Sequence, residues 1–248
     1  MKYLGTITIL GVVLAASAPL ASANPIQLGS YATGANAQGN ANTAMTYIGN
    51  DLTGANKPTG LGTITSIGNH SSYALNPNGI WANPVSNSTW VGIASNVGPS
   101  NTPAGFVNPA YGYYEFQSTF DATAGTYSGS LNVLADDTVE VLLNGNIIVP
   151  FGALGNDGLC SDGAPGCQLS TETSLLLSNI TLDATNKLDF IVEQAGNQTG
   201  PGGTDPSGVD FNASLTTTPE PGTLFLLGTG LLSAAGIARR KFAAKFNA

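Results

Sequence analysis

The sequence predicts an all-β protein whose main body is a two-sheet, jelly-roll-like β-sandwich. Three observations lead there. Gly and Pro are abundant, 32 and 14 of 248 residues, and the interior lacks the Ala, Leu, Glu and Lys runs that build helices. Short stretches alternate apolar and polar side chains with the period of a strand. Their apolar faces are broad and aromatic, so they need a second layer to cover them.

The chain opens on an address. Lys2 supplies a positive start, Leu4 to Leu20 an apolar run, and Ala21-Ser22-Ala23 the small residues that a signal peptidase accepts. Residues 1–23 therefore read as a signal peptide cut after Ala23. The alternative, Ala16-Ser17-Ala18, would place Pro19 after the cut bond, where its fixed φ and missing N–H hinder an extended fit.

Residues 24–218 are long enough for one domain with a sizeable core. From 24 to 88 Gly, Asn, Ser and Thr dominate, with candidate strands at Ala44–Gly49 and Gly62–Ile67. Tyr31, Tyr47, Tyr73 and Trp81 supply aromatic anchors, so this part is expected to pack onto the sandwich rather than hang as a disordered arm.

The second half carries the clearest strands. In Tyr114–Asp121, Tyr114, Phe116, Ser118 and Phe120 share one face, and Glu115, Gln117, Thr119 and Asp121 the other. Val139, Val141 and Leu143 alternate with Thr138, Glu140 and Leu142, and Asn144-Gly145 then offers the turn residues of a tight hairpin before Ile147–Val149. Leu188, Phe190 and Val192 alternate with Asp189, Ile191 and Glu193; Phe211, Ala213 and Leu215 alternate with Asp210, Asn212 and Ser214.

Charge separates the body from its ends. Lys2, Arg239, Arg240, Lys241 and Lys245 are terminal, which leaves Lys57 and Lys187 against fourteen acids in residues 24–218, a net charge of −12. Such a body lacks the Lys and Arg that neutralise phosphates, so nucleic acid is excluded as a partner. Neutral sugars or divalent cations suit it better.

The C-terminal stretch Thr217–Lys241 reads TTPEPGTLFLLGTGLLSAAGIARRK. Pro219, Glu220 and Pro221 form a stiff box, residues 222–238 are uncharged and mostly apolar, and Arg239, Arg240 and Lys241 follow. Leu224, Phe225, Leu226, Leu227, Leu231, Leu232 and Ile237 leave no polar face, unlike a helix of a soluble core. As a helix the run rises about 25 Å against a hydrocarbon core of about 30 Å, a marginal span that snorkelling arginines complete. The basic end stays cytoplasmic, so the body is outside.

In the order of its box, span and basic tail, this segment resembles the PEP-CTERM sorting signal of Gram-negative bacteria, with the tail of residues 239–248 longer than usual. The resemblance implies recognition by an exosortase, a multipass membrane cysteine protease or transpeptidase. That enzyme cuts near the box and releases or re-attaches the body at the cell surface, in proteins that accompany exopolysaccharide and biofilm. Separately, ADDTVEVLLNG (Ala135–Gly145), KLDFIVEQ and GVDFNASL look like strands of galactose-binding-like carbohydrate-binding modules, over roughly Thr89–Leu215. That likeness of pattern transfers no binding residue.

Few residues point to chemistry. Cys160 and Cys167, the only cysteines, sit in a turn-rich loop of an exported chain, so a disulfide is expected, stabilising by about 2.5 kcal/mol through loop closure. His70 is the sole histidine, and no G-x-S-x-G elbow accompanies it. Glu115, Glu140 and Glu193 are the strand glutamates that a hydrolase pair would draw on, but each is expected on a solvated polar face. Asp136, Asp137, Asp157 and Asp162 offer hard oxygen ligands for a structural calcium, without a D-x-D-x-D-G loop. Trp81, Trp90, Tyr111 and Tyr113 are the candidate platform for stacking sugar rings, against the competing reading that they fill the core. An ice-binding face would need regular T-x-T arrays, and the body has too few, such as Thr63-Ile64-Thr65 and Thr171-Glu172-Thr173.

Together these readings predict an exported, exosortase-sorted, non-enzymatic protein that requires no cofactor beyond a structural calcium. It is anchored in the inner membrane as a precursor and then displayed at the cell surface. Its partners would be signal peptidase, exosortase and exopolysaccharide. A secreted polysaccharide hydrolase and an ice-binding or calcium-stabilised adhesin are the rival readings.

Overall fold

The computed structural model describes residues 24–31, 39–53, 60–99, 105–154, 160, 163–195, 205–218 and 228–236. The signal-peptide residues Ala21 and Ala23, the box Pro219–Glu220–Pro221, the basic Arg239, Arg240 and Lys241, and Asp157 and Asp162 fall outside them.

Among the described residues eleven strands form the body: β1 (Ile26–Gly29), β2 (Ala41–Leu52), β3 (Thr65–Leu75), β4 (Trp90–Gly92), β5 (Gly112–Asp121), β6 (Gly125–Asp136), β7 (Thr138–Leu143), β8 (Asn146–Val149), β9 (Thr173–Leu182), β10 (Thr185–Gln194) and β11 (Gly208–Thr217). They hydrogen-bond in the order β8-β7-β10-β5-β2-β3-β4-β11-β6-β9, with β1 added beside β11. Every pairing is antiparallel. The sheet is thus one ribbon folded over on itself, a barrel-like sandwich with β8 and β9 as its open edges. β4 makes the corner, pairing Ala74 with Val91 on one side and Val209 with Val91 on the other.

Alternation explains the core. Tyr114, Phe116 and Phe120 of β5, Val139, Val141 and Leu143 of β7 and Leu188, Phe190 and Val192 of β10 turn inward from one layer. Leu131, Val133 and Ala135 of β6 and Phe211, Ala213 and Leu215 of β11 meet them from the other. Phe190 and Phe211 touch across the interior with ring centroids 4.4 Å apart. Asn144 and Gly145 take φ of 50° and 80°, the left-handed pair that a two-residue β7–β8 hairpin requires.

The strand expected at Gly62–Ile67 is displaced: β3 starts at Thr65 and continues to Leu75, because Ser72 and Ala74 are buried and their alternation extends the ladder past His70. β2 and β3 lie inside the sheet, with β2 hydrogen-bonded to both β3 and β5.

The two ends of the sandwich differ. Turns at 122–124, 144–145 and 183–184 gather at one pole, where β1 begins and β11 ends. The described parts of the long connections, 93–99, 105–111, 150–154, 163–172 and 205–207, lie at the other, around Asp137. Beyond the body, residues 228–236 are helical and exposed. Among the described residues no helix is long and apolar enough to cross a membrane.

Candidate functional site

The outer face of β1, β11 and β6 forms a groove of about 480 Å³. Strand alternation builds it in two rungs. Gln27 of β1 opposes Ser214 of β11, which opposes Ser130 of β6; Gly29, Asn212 and Asn132 make the second rung. Ser86, Asn87 and Tyr31 raise the wall beside β1, and Tyr31 is 42% exposed.

The side chains are held in a fixed pattern. Gln27 Nε2 donates to Ser214 Oγ at 2.7 Å, Asn132 Nδ2 to Asn212 Oδ1 at 2.9 Å, and Asn212 Nδ2 to Ser86 O at 2.6 Å. A side chain at Gly29 would place its Cβ 2.7 Å from Asn87 O, so glycine is what lets the wall close on β1. Beneath the rungs Asp210 anchors that wall: its carboxylate accepts from Ser30 Oγ at 2.8 Å and from the Val85 N–H at 2.7 Å. Burial pushes the Asp210 carboxyl up to about 6, against the opposing pull of hydrogen bonds from Ser88, Val85 and Ser30.

Among the described residues no charged side chain lines this groove, although the body carries −12. Amides and hydroxyls offer donors and acceptors together, which is what sugar hydroxyls need. Among the described residues the lining holds no nucleophile with an adjacent base and no carboxylate pair.

The platform expected from Trp81, Trp90, Tyr111 and Tyr113 is not formed. Trp81 and Trp90 stack on each other at 4.3 Å in a second, smaller core, with Leu75, Val97 and both cysteines around them. Trp81 Nε1 donates to Asp136 Oδ2 at 2.6 Å and Trp90 Nε1 to Ala82 O at 2.9 Å, so both indoles find their polar partners inside. Tyr113 is buried against Phe151, with centroids 5.5 Å apart, and Tyr111 alone of the four is half-exposed.

The disulfide Cys160–Cys167 is present, with Cα atoms 5.8 Å apart. It fixes the segment under Trp81, since the Ala82 N–H donates to Cys167 O and Gln168 Nε2 donates to Ile80 O.

Of the glutamates, Glu115 and Glu140 are half-exposed on β5 and β7, opposite Ile191 on either side of β10. Glu193 departs from expectation: it is buried, with Tyr113 Oη donating to its carboxylate at 3.4 Å, because the 150–153 segment folds over that end of the sheet. Burial raises the carboxyls of Glu115, Glu140, Asp189 and Glu193.

Asp136 and Asp137 are both buried, Asp136 held by Trp81 and Asp137 by the Ala195 N–H at 2.5 Å. Gln194 lies beside them, its Nε2 donating to Asp205 O at 3.3 Å while its buried Oε1 takes no hydrogen bond. Among the described residues no three His, Cys, Asp or Glu side chains stand together as a metal site. His70 is exposed on β3, its ring nitrogen 2.9 Å from Ile67 O. Thr63 and Thr65 lie apart in the chain from Thr171 and Thr173, on different elements.

Sequence reasoning missed the groove. Its one signal was the uncharged pair Asn212 and Ser214 that follows Asp210 on the polar face of β11, among strands whose polar faces alternate in Glu and Asp.

Residues 217–241 match the PEP-CTERM protein-sorting motif. The chain therefore carries a signal that implies export, a terminal transmembrane segment in a membrane-anchored precursor, and recognition by an exosortase. No curated protein sequence matches the chain. Solved structures similar to it include a beta-glucosidase from Kluyveromyces marxianus, at 10% identity and a TM-score of 0.29 over 72% of this chain and 17% of that one. The PA14 domain of an antifreeze protein is similar at 17% identity and a TM-score of 0.24, over 46% of this chain and 50% of that one. A family 35 carbohydrate-binding module from Clostridium thermocellum is similar at 14% identity and a TM-score of 0.23, over 45% of this chain and 85% of that one. This chain thus spans about a sixth of the glucosidase's length.

Proposed function

We propose that this exported, exosortase-sorted chain is a non-enzymatic protein that binds neutral glycan of the extracellular polysaccharide matrix through the groove on β1, β11 and β6. One observation carries the reading: a groove of about 480 Å³ without a charged residue among those described, on a body of net charge −12. A neutral glycan loses little on meeting such a surface, whereas an anionic polysaccharide is repelled by the surrounding field. Display on the Gram-negative cell surface after cutting is part of this proposal, and the sorting motif supports it.

Affinity electrophoresis of the processed protein through gels holding neutral or uronic-acid polysaccharides tests the reading. Retardation by a neutral polysaccharide, without release of reducing ends, is the expected result. Release of reducing ends would move the function to hydrolysis, with Glu115 and Glu140 as the first carboxylates to replace. Absence of retardation by every neutral polymer would end the binding reading.

A structural calcium at the Asp137 pole is the accompanying proposal. The observation favouring it is Gln194 Oε1, a buried acceptor without a hydrogen bond, next to Asp205 and Ala195.

A further inference from the structure

The sorting motif starts at residue 217, yet that part of the chain is still inside the folded sheet. Thr217 opposes Tyr127, the Thr218 N–H donates to Thr126 O at 2.9 Å, and Thr218 Oγ1 lies 3.2 Å from Ser128 Oγ. Only Pro219, Glu220 and Pro221 separate this last rung from the apolar segment beginning at Gly222. Covalent geometry limits the reach from Thr218 to Gly222 to about 14 Å. Adjacent strands are spaced by about 4.8 Å and packed sheets by about 10 Å, so the body is wider than its tether is long. It cannot swing away, and the pole around Thr218 is the part that faces whatever holds the apolar segment.

That pole is rigid. The turns 144–145 and 183–184 converge on Asn186, which is fully buried, and the 122–124 turn joins them through the Ala122 N–H, which donates to Ala184 O at 3.0 Å. Asn186 Oδ1 accepts from the Asp183 N–H and from Asn144 Nδ2, both at 2.9 Å, and its Nδ2 donates to Asp183 O at 2.7 Å. Asp121 and Asp183 stand exposed around it, Asp121 accepting from Thr185 Oγ1 at 2.9 Å. The mature N-terminus expected at Asn24 also emerges here, two residues before Ile26 meets Leu215.

We propose that this pole, centred on Thr218 and carrying Asp121 and Asp183, is the docking face for the membrane-embedded sorting protease. The short tether supplies the proximity, and the two exposed carboxylates select the occupant. An anionic bilayer surface repels them, while a protease loop bearing Lys or Arg complements them. The inference rests on the sorting motif and is independent of the glycan reading, whose test has no protease in it.

The full-length precursor and its protease, reconstituted together in lipid vesicles, provide the experiment. A photo-crosslinker at Thr123, beside the turn, is expected to capture the protease, whereas one at Leu169, 67% exposed on the far pole, is not. Precursor conversion in the Asp121→Lys/Asp183→Lys variant is expected to slow about fivefold or more, the scale of a lost charge-assisted contact. Glu172→Lys, far from this pole, and Thr185→Val, which removes the Asp121 hydrogen bond without changing charge, should convert at the parental rate. Capture of lipid alone from Thr123, equal capture from both positions, or undiminished conversion of the doubly reversed variant in its folded form would overturn the proposal.

Discussion

Ser30 Oγ donates to Asp210 Oδ1 at 2.8 Å inside the body, tying the end of β1 to β11 directly under the groove. Asp210 is fully buried, and its carboxyl is raised from 3.8 to about 6. The folded protein therefore binds this proton more tightly than the unfolded chain does. Asp210 stabilises the fold fully below about pH 3.8, and that contribution is lost as pH rises through about 6. The difference corresponds to about 3 kcal/mol. Glu115, Asp189 and Glu193 are raised in the same direction, so melting temperature should increase from pH 7 toward pH 4. Asp210→Asn, whose amide can still meet Ser30 and Val85, should flatten that rise. Calorimetry across the range is the check; a parental slope in the variant would show that Asp210 does not carry the effect.

The Trp81–Asp136 hydrogen bond joins the second core to the end of β6. Trp81→Phe removes the donor at 2.6 Å and leaves space beside Gly208, against which the indole is packed. The expected loss is about 2–4 kcal/mol in denaturant unfolding. Asp136→Asn in the Trp81→Phe background should cost less than the two changes summed, because the two groups bond directly and the second change has no indole N–H left to lose. Simple additivity would show that packing alone, and not the hydrogen bond, holds this corner.

How much of this was legible in the sequence follows from range. β5, β7, β10 and β11 bury their apolar faces in the register that simple alternation predicts. β6 was hidden because Gly125, Ser128, Gly129 and Ser130 dilute its first half: a Cβ at Gly129 would sit 1.9 Å from Ser214 O, so close approach to β11 dictates a residue with no strand preference. β9 was hidden because Leu175, Leu176 and Leu177 run together, and as an edge strand it leaves Leu176 82% exposed. The groove was illegible for a different reason. Gln27 and Ser214 are 187 positions apart, and no local pattern reveals that they share a rung. Trp81 and Trp90 looked available for stacking until the disulfide loop was seen to cover them.

Calcium makes a separate prediction at the Asp137 pole. If the ion joins Gln194 Oε1 and its acidic neighbours, saturating calcium should raise the melting temperature by about 5 °C or more over chelator, the shift of a ligand held well above its Kd. Gln194→Leu should abolish the difference while the protein stays folded, since the unpaired acceptor is replaced by an apolar group of similar size. Equal melting temperatures with calcium and with chelator would end the calcium proposal and leave Gln194 Oε1 as a buried acceptor that the fold tolerates.

The groove yields the last prediction. Asn132 and Asn212 lie opposite each other and share one amide hydrogen bond at 2.9 Å, half-exposed on strands whose other faces are deep in the core. Replacing both by Ala removes that bond and the one to Ser86, but leaves Phe211, Leu131 and Val133 in place. Stability should fall by no more than about 1–2 kcal/mol, because each lost hydrogen bond is partly hydrated. Retardation by neutral polysaccharide should fall tenfold or more, about 1.4 kcal/mol or above in binding. Tyr31→Ala should weaken it further if a sugar ring rests on the phenol at the rim. Binding that survives all three substitutions would place the glycan elsewhere on the body, whereas loss with an unchanged melting temperature would fix it to these two rungs.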